Sequence, residues 1–154
     1  MGVARYPLAG YDRHAVTLHE MTRRVEFLFD FASATSYLAY TQLPKIAAAR
    51  NAEIIWRPIL LGAVFKATSN VSPMTVAAKG RWMFGDLKLW GEHYGVPFNP
   101  TPHFPVNSLT VLRGAVAMQM RMPWEFLRYV QLIFGAIWES HRNFNQPDEI
   151  AAVL

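Results

Sequence analysis

Only two stretches of this chain read as β-strands, and both lie before residue 59. Val25 to Phe31 is short, aromatic and almost unbroken, a pattern that predicts a strand buried on both faces. Glu53 to Pro58 is the second strand signal, closed by its proline. Between them, Tyr37 to Arg50 is helix-rich and is headed by Ala32-Ser33-Ala34-Thr35-Ser36. Hydroxyl side chains ahead of an apolar periodic run predict a helix N-terminus, because their oxygens accept its orphan N–H groups. Pro44 predicts a bend or restart within that helix, and Asn51 a stop. Strand, helix and strand in this order predict a right-handed βαβ unit with parallel strands.

After Pro58 the pattern turns helical. Ile59 to Lys66 suits a short helical turn, and Ser72-Pro73 a cap with proline at the first helical position. The helix opened there carries Met83, Leu87 and Trp90 on one face and stops at Gly95. A rigid loop with four prolines runs from Gly95 to Pro105. Asn107 caps a further helix through Met120. Pro123 opens another, whose core face is Phe126, Leu127, Val130, Ile133, Phe134 and Ile137. Gln146-Pro147 starts a last one. Trp82, Trp90, Trp124 and Trp138 read as core. The expected division is an N-terminal extension (1–24), a βαβ unit (25–66) and a helical block (67–154), with no strand after Ser72.

Composition narrows the function. At 154 residues and 52% hydrophobic content, the chain suits one folded domain and excludes intrinsic disorder. Half of the net charge of +4 lies before residue 25, which leaves no nucleic-acid footprint on the body. The chain has no cysteine, which excludes a disulfide framework, a thiolate zinc site and a Cys-x-x-Cys redox pair. The five histidines show no metal-ligand spacing, so no metal is expected. No apolar run reaches membrane-span length, and residues 1–24 lack a signal-peptide core. Met21 reads as a natural start before the first strand.

Ser33 follows a strand and heads a helix, where N–H groups and the helix dipole favour negative charge. Its plain reading is an N-cap; its functional reading is a hydroxyl that stabilises an anion. Asp30, an acid near the end of an apolar strand, either caps local backbone or tunes a site at the strand's carboxyl end. Lys66 and Lys79 read by themselves as solvated cations.

Phe29-Asp30-Phe31-Ala32-Ser33-Ala34-Thr35-Ser36-Tyr37-Leu38-Ala39 resembles the opening strand and turn of 2-hydroxychromene-2-carboxylate isomerases and kappa-class glutathione transferases. The resemblance continues through Arg57-Pro58-Ile59-Leu60-Leu61-Gly62, Lys66, Asn70, Pro73 and Lys79-Gly80. It runs on through Tyr94-Gly95-Val96-Pro97 and Phe104-Pro105-Val106-Asn107 to Trp138. It implies an α/β, thioredoxin-like fold, a βαβ half followed by an all-helical insertion domain. It also implies glutathione as cofactor, its sulfur held as thiolate by Ser33, with Asn70 and Lys79 beside it. Lys66, Thr35 and Phe104 fall on the substrate side. The implied reaction is cis-trans isomerisation of a small aromatic substrate by thiolate addition, bond rotation and elimination. A cytoplasmic homodimer in aromatic-compound degradation is implied with it.

Two departures stand out. Where the family has proline and an aromatic after the serine, this chain has Ala34 and Thr35, which opens space at the turn. The family's second thioredoxin half, with its cis-proline loop and glutathione-gripping Ser-Asp pair, has no counterpart before Leu154. A strand with one partner then predicts association and weak glutathione affinity. The alternatives are a kappa-type transferase or peroxidase, and a non-catalytic remnant serving protein association.

Overall fold

The computed structural model describes residues 23–154. Strand β1 (Arg23–Phe29) pairs in parallel with β2 (Ala52–Pro58), with Val25 opposite Ile54 and Phe27 opposite Trp56. Helix α1 (Ala34–Ala49) makes the crossover, so the βαβ unit is formed as the pattern predicts. α2 (Leu61–Ala67), a 3-10 turn at Pro73–Thr75, α3 (Ala77–Tyr94), α4 (Leu109–Arg121), α5 (Phe126–Trp138) and α6 (Pro147–Ala151) follow. Among the described residues there is no strand after Pro58, and no helix is long and apolar enough to cross a membrane.

Several local readings need correction. β1 is covered on one face only: Val25, Phe27 and Phe29 point inward, while Arg24, Glu26 and Leu28 are exposed. The outer face carries the cross-strand pairs Arg24–Glu53 and Arg57–Glu26, both at 2.9 Å and both exposed. Alternation of large apolar and charged residues was there to read, but the aromatic content masked it. Pro44 lies within a continuous α1; it is exposed, so the carbonyl it leaves without a donor can face water. Ser72 caps only the 3-10 turn, its Oγ accepting from Met74 N at 3.3 Å, and α3 begins anew after Val76. Trp82 and Trp124 are not core but are 71% and 75% exposed, and Leu127 and Trp90 are also exposed.

Helix α5 organises the interior. Phe126, Tyr129, Val130, Ile133, Phe134, Ile137 and Trp138 are all buried along it. The Phe134 ring lies 4.9 Å from Phe31, 5.1 Å from Tyr40 and 6.0 Å from Phe29, so α5 packs across the inner face of the βαβ unit. Gln119 Nε2 donates to the Trp56 carbonyl at 3.0 Å and ties α4 to β2. One buried cluster therefore runs through both the βαβ unit and the helical block.

Candidate functional site

Beyond Phe29 the chain turns sharply into α1, and the turn is fixed by hydrogen bonds from several elements. Asp30 is 3% exposed. Its Oδ1 accepts from Ala32 N at 2.9 Å and its Oδ2 from Leu61 N at 2.8 Å. Each carboxylate oxygen thus organises a different segment, so Asp30 caps local backbone, and it also lines the larger of the two cavities at this site. Asp30 O accepts from Ser33 N at 3.0 Å, which closes the turn. The Phe31 carbonyl accepts from Trp138 Nε1 at 2.9 Å, so the last residue of α5 holds the turn from below.

Ser33 is the N-cap of α1. Its Oγ accepts from Ser36 N at 3.2 Å, and it lies 2.8 Å from Thr35 Oγ1, either hydroxyl being able to donate to the other. The Ala34 and Thr35 N–H groups have no partner among the described residues. A hydroxyl and two free N–H donors therefore meet at the positive end of the helix dipole, which favours an anion and lowers the pKa of a thiol placed there.

A cavity of about 240 Å³ lies at this point, lined by Ser33, Thr35, Met74, Phe84, Phe104 and Trp138 among others. It shares Ala32, Leu61, Phe65, Ser72, Met74 and Phe104 with a larger cavity of about 570 Å³ that extends to Val106, Asn107 and Ser108. The Phe104–Pro105 peptide in its wall is cis. Of the residues singled out in the sequence, the fold brings Ser33, Thr35 and Phe104 together on one cavity. Asn70, Lys66 and Lys79 are exposed and lie outside the lining of both cavities. The Asn70 Oδ1 accepts from its neighbour Val71 N at 2.8 Å. Among the described residues, no lysine or arginine lines either cavity. Phe65, Met74 and Trp138 were missed as site residues. Phe65 and Met74 fall in short segments without periodicity, and Trp138 reads as core, which it also is. Among the described residues no group of side chains gathers that could hold a metal ion.

Behind the turn, the Tyr37 hydroxyl donates to the Pro97 carbonyl and lies 3.0 Å from Glu139 Oε1. Burial first, and then the Glu139 charge, raise its pKa. This network anchors the proline-rich loop to α1. Asn99 N strengthens the anchor by donating to the Trp138 carbonyl at 2.8 Å.

Residues 24–154 match the family model described as DSBA-like thioredoxin domain. The chain is 31% identical over 120 residues to the 2-hydroxychromene-2-carboxylate isomerase of Sphingobium xenophagum, covering 77% of this chain and 60% of that protein. It is 26% identical over 141 residues to human glutathione S-transferase kappa 1, covering 86% and 61%. A solved structure of 2-hydroxychromene-2-carboxylate isomerase superposes with a TM-score of 0.70 at 29% identity, over 84% of this chain and 63% of that one. The chain thus spans about three fifths of the length of the curated relatives it matches.

Proposed function

We infer, from the premise that this chain belongs to the DSBA-like thioredoxin domain family, that it is a glutathione-dependent enzyme whose Ser33 holds the glutathione sulfur as thiolate. The observation that carries this reading is Ser33 at the α1 N-terminus, facing the 240 Å³ cavity beside two free N–H groups. This chain carries no cysteine to supply a thiol at the turn, and glutathione is the source of sulfur in this reading. Glutathione, when bound, supplies the nucleophilic thiol. Ser33 O–H donates to that sulfur, and the helix N-terminus stabilises its charge. The apolar walls formed by Phe65, Met74 and Phe104 suit the flat face of an aromatic substrate. The proposed reaction is cis-trans isomerisation of a 2-hydroxychromene-2-carboxylate-type compound in aromatic degradation; the Sphingobium relative is named 2-hydroxychromene-2-carboxylate isomerase.

A second reading, conjugation in the manner of a kappa-class transferase, is favoured by one observation. Among the described residues, the cavity linings present no lysine or arginine to a substrate carboxylate, which suits an uncharged electrophile at least as well. A cytoplasmic location goes with this reading, since reduced glutathione is kept there. Exposed Met120, Trp124 and Leu127 around the α4–α5 turn supply apolar surface for a homodimer, which light scattering measures.

The test is a pair of assays with glutathione, one on a chromene carboxylate and one on a chlorodinitrobenzene-type electrophile, each run on wild type and Ser33→Ala. Isomerisation that falls about 100-fold or more in Ser33→Ala supports the first reading. Conjugation alone supports the second. Turnover unchanged by Ser33→Ala removes Ser33 from both.

A further inference from the structure

Thr35 replaces an aromatic in the resembled motif, and its side chain is exposed yet lies within hydrogen-bond reach of Ser33. A serine hydroxyl has one proton to donate and two lone pairs to accept with. One lone pair of Ser33 Oγ is occupied by the Ser36 N–H at 3.2 Å. The 2.8 Å contact to Thr35 Oγ1 fills one more place, and its direction decides what remains. With Ser33 donating to Thr35, its proton is spent within the turn and only a lone pair faces the cavity. With Thr35 donating, both lone pairs of Ser33 are filled and its proton is the single free valence. An anion held by Ser33 itself selects the second arrangement, since only that one points the Ser33 proton at it; in the first, the free hydroxyl proton is that of Thr35.

We propose that Thr35 is a positioning residue, whose hydroxyl donates to the side-chain atom at position 33 and so directs the Ser33 proton into the cavity. It rests on the reading of Ser33 given above and adds to it the relay Thr35 to Ser33 to anion. Hydrogen bonds in series polarise one another, so Ser33 becomes a stronger donor than an isolated serine. The arrangement also accounts for a polar residue at a position that opens space at the turn: the hydroxyl reaches back to position 33 instead of filling that space.

The absence of cysteine permits a direct test on the full chain. The Ser33→Cys variant carries one thiol, and its pKa is read from thiolate absorbance without any bound ligand. Adding Thr35→Val, which keeps the shape and removes the hydroxyl, is expected to raise that pKa by about 0.5 unit or more, about threefold in the thiolate-to-thiol ratio. Thr35→Ser is expected to restore it. With Ser33 native, Thr35→Val is expected to raise the pKa of added glutathione's thiol in the same sense, and to have no further effect once Ser33→Ala is present.

A thiol in Ser33→Cys that titrates identically with Thr35 and with Thr35→Val overturns the proposal. So does a glutathione effect of Thr35→Val that persists with Ser33→Ala, which would make Thr35 a direct ligand contact. A Ser33→Cys thiol sensitive to Thr35→Val, in a chain whose wild type gives no glutathione thiolate signal, upholds the relay and rejects the glutathione reading.

Discussion

Asp30 shows how much one side chain can hold. Its two oxygens satisfy the N–H groups of Ala32 and Leu61, one on each side of the Ser33 turn. Asp30→Ala leaves both donors without a partner in a site that is 3% exposed, and is expected to cost about 3 kcal/mol in urea denaturation. Asp30→Asn retains one acceptor oxygen and is expected to cost about half as much. Equal losses for the two variants would show that charge, not the acceptor count, is what the turn requires. Ser33 was legible in the sequence because a hydroxyl before a periodic run has a local physical meaning. The second bond of Asp30 was not, because its donor lies 31 residues away. The three polar residues carried over by family likeness, Asn70, Lys66 and Lys79, lie outside the linings of both cavities. The fold leaves them exposed, and proximity to a cavity is not a property of a residue's type.

At the level of elements, α4 and α5 meet at one tight point. The Tyr129 hydroxyl donates to the Val111 carbonyl at 2.8 Å, directly above Gly114. A Cβ at Gly114 would overlap that hydroxyl. Gly114→Ala is therefore expected to destabilise by about 1–3 kcal/mol despite its better helix propensity. Tyr129→Phe alone loses one hydrogen bond, about 1 kcal/mol. The double variant is expected to lose less than the sum, since the second change removes an atom that the first one strikes. Additive losses in thermal melts would refute the overlap. Helical periodicity located α5 and its inward face, with Leu127 the exception. It failed for Trp82 and Trp124, because spacing says which residues share a face but not whether anything covers it. The start of α3 was misplaced for a related reason: Ser72-Pro73 is a sound cap, but it serves a single 3-10 turn.

For the molecule as a whole, buried phenols set an alkaline limit. Burial pushes the Tyr129 pKa up from 10.0 to about 12, and burial followed by the Glu139 charge raises those of Tyr37 and Tyr40. Below pH 10 both folded and unfolded chains keep these protons, and the stabilisation is intact. Between about pH 10 and pH 12 the unfolded chain releases the Tyr129 proton while the folded one retains it, so stability falls as pH rises. The urea midpoint is expected to drop through this window, and to drop less steeply in Tyr129→Phe. A midpoint with the same slope in both proteins would show that Tyr129 does not contribute. The βαβ order and the helical remainder were readable at this scale from two strand signals and a run of caps. That α5 would return to cover the sheet was not, because nothing local announces it.

That return has a bearing on how the protein is born. The bond from Trp138 Nε1 to the Phe31 carbonyl joins residues 107 apart in sequence. At a synthesis rate of about 5–20 residues per second, the turn at Ser33 leaves the ribosome roughly 5–20 s before its last tether exists. During that interval β1 and β2 can pair locally, but Phe29 and Phe31 still lack the helix that covers them. The nascent chain thus passes through a stage in which the Ser33 turn sits on an uncovered aromatic strand end, a feature that chaperones recognise.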